Sequence, residues 1–328
     1  MTVSNSTNFN LVRNQIIELA YKRIGVLTDY RPLTAQQITD GATLLNVMVK
    51  SWITKGNRLW KNKQGTLFVQ PNQASYILDG ETDNATEEYV ATTTTAAVNS
   101  GTAIIPVTSA TGMIVGDNFG VVMSNGYIFW STIQSINSLN VTLNDILTED
   151  VNDGAYVYAY TTKINRPEDI LNAQCQTSMT LGQTSTTTVL PMVIMSRDTY
   201  RAITIKNNTG IPNRLFYDKQ KDYGAIYLWQ TPSSANYLIE FTWQKQLFDF
   251  DSPTDDPDFP VEWLDALHLN LAVKLAGFNA VTSSTQTSFL SDLKQEAKDA
   301  LDDVLGFDRE TTSIYFEPAT EINTNTNR

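Results

Sequence analysis

Apolar residues recur at helical spacing near both ends of this chain and at strand spacing between them. Val12, Ile16, Leu19 and Ile24 fall on one helical face, and Gly25 sits where a left-handed C-cap belongs. A second helix is predicted from Thr34, with Gln37 three residues later in the sequence form of a capping box. Ile38, Ala42, Leu45, Met48 and Trp52 mark its apolar face, and Gly56 stops it. The intervening Asp29-Tyr30-Arg31-Pro32 turn is short, which predicts an antiparallel helical hairpin.

The pattern then switches to strands. Leu67-Phe68-Val69 and Tyr76-Ile77-Leu78 flank Pro71-Asn72-Gln73, which reads as a turn between paired strands. Short apolar runs follow at Ala103-Ile104-Ile105, Phe119 to Val122, Ile128-Phe129-Trp130, Val141-Thr142-Leu143 and Tyr156-Val157-Tyr158. Turn residues separate them, among them Asn125-Gly126, a type I′ hairpin signal. Such spacing predicts a small barrel or sandwich, entered through a Thr-rich linker at Thr92 to Thr95. Further strands are expected at Val189 to Met195, Ala202 to Ile205, Leu215 to Tyr217, Ile226 to Leu228 and Tyr237 to Trp243. An acidic loop, Asp249 to Asp258, leads to a helix opening at Phe259-Pro260, where proline costs no hydrogen bond. Its stripe is Leu264, Leu267, Leu271, Leu275 and Phe278; a last helix carries Leu290, Leu293, Ala297, Leu301 and Val304 and ends at Gly306.

Charge sharpens the boundaries. No Lys or Arg occurs between Lys63 and Lys163, whereas Glu87, Glu88, Asp117, Asp145, Glu149, Asp150 and Asp153 are all acidic. The change of sign and of periodicity marks residues 84–162 as an inserted β domain. The expected organisation is a helical domain with β elements from 1–83 and 163–305, that insertion, and an extended tail at 306–328. The fold class is thus read as α+β: a helical bundle with β-hairpin and strand elements, carrying a small all-β barrel or sandwich.

Composition excludes several functions. The net charge is −12 over 328 residues, and an acidic protein does not wrap a phosphate backbone, which needs Lys and Arg to displace counterions. It suits a passage through which DNA slides without sticking. One cysteine, Cys175, and one histidine, His268, rule out an intramolecular disulfide, a cysteine zinc cage and any two-histidine metal motif. No cofactor is expected. Met1 to Asn10 is polar and lacks the apolar core of a secretory signal, and no apolar run approaches the roughly 20 residues of a membrane span. A soluble protein made in a cytoplasm is expected, without membrane contact.

Ile17 to Leu27, Leu44 to Trp52, Pro71 to Leu78, Arg166 to Ala173, Tyr200 to Ile203, Gly210 to Tyr217, Phe259-Pro260 and Ala266 to Ala272 follow one another along the chain. In that order they resemble the head-completion or tail accessory proteins of short-tailed bacteriophages, also called head-to-tail connectors or packaged-DNA stabilisation proteins. Ile17 to Leu27 is like that family's opening helix, and Leu44 to Trp52 is like its second helix with a terminal tryptophan. Pro71 to Leu78 is similar to its polar hairpin and Arg166 to Ala173 to its arginine-proline strand. Tyr200 to Ile203, Gly210 to Tyr217, Phe259-Pro260 and Ala266 to Ala272 complete the series. The resemblance covers about two-thirds of the chain, leaving the insertion and the tail unassigned. It implies a homo-oligomeric ring, usually a dodecamer, at the head–tail junction of the virion. Such a ring docks under the portal protein, extends the channel for double-stranded DNA without binding it specifically, and carries downstream tail, nozzle or fibre proteins.

The run Asp249, Asp251, Asp255, Asp256, Asp258, Glu262 and Asp265 offers paired carboxylates of the kind that cleave glycosides. Pro253, Pro257 and Pro260, however, mark an exposed loop, and a general acid needs burial to raise its pKa. His268 lies three residues after Asp265, with no Gly-x-Ser-x-Gly nucleophile segment in the chain. Trp130, Tyr156, Tyr158 and Tyr160 offer sugar stacking or a β core. Lys50, Lys55, Arg58, Lys61 and Lys63 form the one basic cluster, with no acid between Gly41 and Leu78. Its readings are DNA contact, favourable cations at a helix C-terminus, or pairing with the acidic loop of the next subunit. The third makes Lys50, Lys55, Arg58, Lys61 and Lys63, with Asp255, Asp256 and Asp258, the candidate subunit or portal interface; Ile314, Tyr315 and Phe316 in the tail join them. The sequence thus reads as a structural, non-enzymatic ring subunit. The alternatives are a virion-associated peptidoglycan hydrolase and a receptor- or glycan-binding tail component using the insertion.

Overall fold

In the computed structural model, residues 9–27, 31–52, 59–177, 188–278 and 284–308 are described. They form sixteen strands and five α-helices, with 27% of the chain helical. The fold is mostly β, and the expected helical bundle carrying strands is not what the chain builds. The reason lies in the flanking strands: their alternation gives them a full sheet and a core of their own, leaving helices only near the chain ends. Two compact units result, Met1–Trp60 with Leu247–Arg328, and Lys61–Gln246. The strands within 62–78 and 163–246, grouped with the helices in the sequence reading, belong to the second unit.

The first unit contains α1 (Arg13–Arg23), α2 (Ala35–Trp52), α4 (Leu264–Phe278) and α5 (Ser284–Phe307). Gln15 caps α1 by accepting from the Val12 N–H at 3.1 Å. On α2 the capping box expected from Thr34 and Gln37 is present in both directions, at 3.2 and 2.9 Å. Gly41 lets α2 press against α1, since a Cβ there would lie 2.6 Å from Ile17 Cγ2. Ile16, Ile17, Leu45, Met48, Leu267, Leu271, Leu293 and Leu301 share one core. Trp52, Trp60, Phe259 and Trp263 form an aromatic knot beside it, with ring centroids 5.3–6.3 Å apart. The helix expected at Phe259-Pro260 begins instead with a single 3-10 turn, Val261–Trp263.

The second unit contains two large sheets and one short parallel pair, β12 (Thr209–Gly210) with β15 (Thr231–Pro232). The first has eight strands in the order β2-β14-β13-β11-β10-β16-β1-β3 and curls into a nearly closed barrel. Its members are β1 (Asn62–Phe68), β2 (Ser75–Leu78), β3 (Ala85–Thr86), β10 (Asp169–Gln176), β11 (Val189–Met195), β13 (Arg214–Lys219), β14 (Gly224–Trp229) and β16 (Leu238–Gln244). All neighbours are antiparallel except β11 and β13. Leu67, Tyr76, Cys175, Leu215, Ile226, Ile239 and Phe241 fill its core. The turn at Asn72 exists, but the strands on either side do not pair: β1 lies between β16 and β3, and β2 pairs β14. Residues 202–205 are not a strand; they follow the short helix α3 (Arg197–Arg201), capped by Ser196 Oγ.

The second sheet takes six strands, β4 (Val90–Thr93), β5 (Ile104–Pro106), β6 (Asn118–Val122), β7 (Ile128–Asn137), β8 (Asn140–Leu143) and β9 (Tyr156–Tyr160). Their order is β4-β9-β6-β7-β8-β5, with every pairing antiparallel. Ile105, Val107, Phe119, Val121, Ile133, Val141 and Val157 make its core. The β6–β7 hairpin is not type I′. Met123 and Tyr127 bracket three residues, and only Gly126 takes a left-handed φ, +82°. This is a three-residue loop ending in a glycine bulge.

Candidate functional site

The acidic segment is a strap across the first unit. Phe250, 3% exposed, is held at both backbone polar groups by Asn46 on α2: its N–H donates to Oδ1 at 2.9 Å and its carbonyl accepts from Nδ2 at 3.2 Å. Arg13 on α1 donates from Nη1 to the Asp251 carbonyl at 2.9 Å. The Lys50 ammonium donates to the Leu247 carbonyl at 2.7 Å and pairs with the Asp249 carboxylate at 2.8 Å. Asp255 folds the strap on itself, its Oδ2 accepting from the Asp251 and Ser252 N–H groups at 2.8 and 2.5 Å. Its carbonyl accepts from the Arg13 N–H at 2.9 Å. Asp249, Asp251 and Asp256 are exposed, as expected of this loop, and three side chains from α1 and α2 fix its path.

The structure distributes the expected interface residues. Lys50 faces Asp249 of its own chain. Lys61 is 3% exposed, and its ammonium is bonded to Glu168 in the second unit, so it presents no surface charge. Lys63 is half-buried and makes no ion pair among the described residues. Asp258 accepts from the Phe248 N–H at 3.5 Å, while Asp256 is exposed. Lys55, Arg58, Ile314, Tyr315 and Phe316 lie outside the described residues.

The candidate chemistry takes ordinary structural positions. The His268 ring nitrogen Nδ1 sits 3.2 Å from the Leu264 carbonyl of its own helix and 3.7 Å from Asp265. Burial pushes the Cys175 thiol up to about 12. Among the described residues no group of His, Cys, Asp and Glu side chains could hold a metal ion. No helix there is long and apolar enough to cross a membrane. The aromatics considered for sugar stacking are largely internal: Tyr158 is fully buried, Tyr160 is 3% exposed, and both pack with Trp130 around Phe68.

A feature missed in the sequence is a groove along α4 and α5. Asp265, Asp292, Glu296, Asp299 and Asp303 line it. The 292-296-299-303 spacing places four acids on one helical face, a signal present in the sequence. Glu296 also bonds Arg23 on α1, and Asn270 Nδ2 bridges α4 to α5 through the Ala297 carbonyl at 2.9 Å.

No family model and no curated protein matches the sequence.

Proposed function

We propose that this chain is a structural subunit of a bacteriophage head–tail junction, working by contact surfaces and without a catalytic step. Copies would assemble side by side into a ring, a dodecamer in the related family, that docks on the portal protein and continues the DNA channel.

What supports this reading is where the family-like segments come together. Residues 17–27, 44–52, 259–260 and 266–272 lie far apart in sequence. Yet Ile17, Tyr21, Leu45, Met48, Trp52, Leu267 and Leu271 meet in one core, with Phe259 packed against it. A helical platform made from both ends of the chain, with the β-rich unit between them in sequence, suits a wall element that projects strands toward other particle proteins. The acidic face of α5 suits a lumen: with Glu296 paired to Arg23, Asp292, Asp299 and Asp303 leave a net negative surface that repels phosphate and lets DNA slide. The tail after Gly306 would dock on the portal, ordering as it binds at an entropic cost.

Mixing the purified chain with a portal ring of a short-tailed phage tests the assignment. Co-migration is expected for the full chain and should be lost on truncation after Gly306. Equal co-migration of both would remove the role of the tail, and none for the full chain would remove the reading itself.

A further inference from the structure

The first sheet carries a polar cleft of about 540 Å³ on the face away from its core. Strand register builds its floor in two rungs. Gln64, Thr242 and Asn172 are aligned across β1, β16 and β10; one step along, Thr66, Glu240, Gln174 and Pro191 continue to β11. Period-two alternation explains the polarity, since the intervening Gly65, Phe241 and Ala173 turn inward. Glu87 and Tyr89, from the segment joining β3 to β4, make the wall.

The cleft is prepared for hydrogen bonding. Glu240 is fixed by two amides on β10, accepting from Gln174 Nε2 at 2.6 Å and from Gln176 Nε2. Thr66 is only 6% exposed, lines the cleft, and its hydroxyl has no hydrogen-bond partner among the described residues. Its oxygen is not sealed off from solvent, so it opens into the cleft, where it can donate to or accept from a ligand. The side chains of Gln64, Asn172 and Thr242 likewise bond no other described group. Tyr89 stands edge-on to Phe68 at 5.3 Å, which anchors its ring in the wall. Glu87 and Glu240 are the charged groups of the lining, and no base accompanies them.

We propose that this cleft is a binding site for a neutral saccharide, with Gln64, Asn172, Thr66 and Glu240 bonding its hydroxyls and Tyr89 meeting its apolar ring face. Amides and hydroxyls both donate and accept, as vicinal diols require. Two carboxylates without a base repel phosphate, uronate and sialic acid. A cationic peptide would find one acid already held by two amides, whereas the unpaired uncharged groups outnumber the charges. The site lies on the first sheet, not on the aromatic stripe of β7 and β9, and it does not depend on the ring reading.

Calorimetric titration of the full-length protein with chitotetraose, maltotetraose and mannotetraose tests it, alongside tetralysine and a sialylated tetrasaccharide. At least one neutral tetrasaccharide should bind, with little salt dependence. Exchanging the exposed Gln64 and Asn172 together (Gln64→Ala with Asn172→Ala) should weaken it by about tenfold, the scale of two lost hydrogen bonds. An unchanged circular dichroism spectrum should show that this variant keeps its fold. Binding of none of the three, binding of tetralysine or the sialylated sugar alone, or undiminished binding by the folded double variant would each overturn the proposal.

Discussion

Asn46 holds Phe250 as a second strand would, donating to its carbonyl and accepting from its N–H. One side chain on α2 thereby fixes the path of a segment 204 residues away in sequence. Lys50, one turn further along α2, repeats the attachment at Leu247 and Asp249. The two attachments differ in worth. Phe250 is buried and its backbone groups need partners, so Asn46→Ala should destabilise the helical unit by about 1–3 kcal/mol. The Lys50–Asp249 pair is roughly half exposed on both sides, so Asp249→Asn should change stability by less than about 1 kcal/mol. Chemical denaturation of the two variants compares them directly; a larger loss for Asp249→Asn would contradict this account of the strap.

The Lys61–Glu168 pair belongs to the other extreme. Lys61 is 3% exposed, and the second carboxylate oxygen of Glu168 is buried without a partner. Removing one ion strands the other, so Lys61→Met should cost about 3–5 kcal/mol. Pairing it with Glu168→Leu should recover most of that loss. A double variant no better than Lys61→Met in urea unfolding would mean that packing, not stranded charge, sets the cost.

Stability at high pH follows from the buried phenols. Burial raises the pKa of Tyr76, Tyr158, Tyr160 and Tyr217 above the ordinary 10.0, and pushes the Cys175 thiol up to about 12. The folded state thus holds these protons more tightly than the unfolded chain does. Their contribution is complete below the unfolded values and is lost as pH rises through the folded ones. The melting temperature should be level in this respect below about pH 9 and fall steeply above about pH 10, together with tyrosinate absorbance. A melting temperature that stays level from about pH 9 to about pH 12 would contradict it.

Close helix packing gives a steric test. A Cβ on Gly41 would meet Ile17 Cγ2 at 2.6 Å in a fully buried contact. Gly41→Ala gains helix propensity yet should still lose about 1–3 kcal/mol through overpacking. A stabilised variant would show that α1 and α2 separate without loss.

Local chemistry in the sequence located most elements and few of their partners. The Thr34–Gln37 cap and the alternation in β16 are legible because each is decided within a few residues. The Asn72 turn was legible too, but turn residues do not say whether flanking strands pair, and β1 and β2 find β16 and β14 instead. Ala202 to Ile205 has the apolar content of a strand, yet the Ser196 cap starts a helix just before it. The strap's acids and prolines indicate an exposed loop, but the attachments that hold it are not legible, because its partners Arg13, Asn46 and Lys50 are some 200 residues away. The cleft shows the same limit: polar alternation at Gln64 and Thr66, or Asn172 and Gln174, is visible in each strand. Only strand order brings them together.

The central claim is assembly, and particle mass with rotational symmetry tests it most directly. Electron microscopy and mass photometry of the purified chain, alone and with portal rings, should show a closed ring seated coaxially on the portal, its mass an integral multiple of 36.6 kDa. A chain that stays a single copy and leaves the portal bare at every concentration would contradict it.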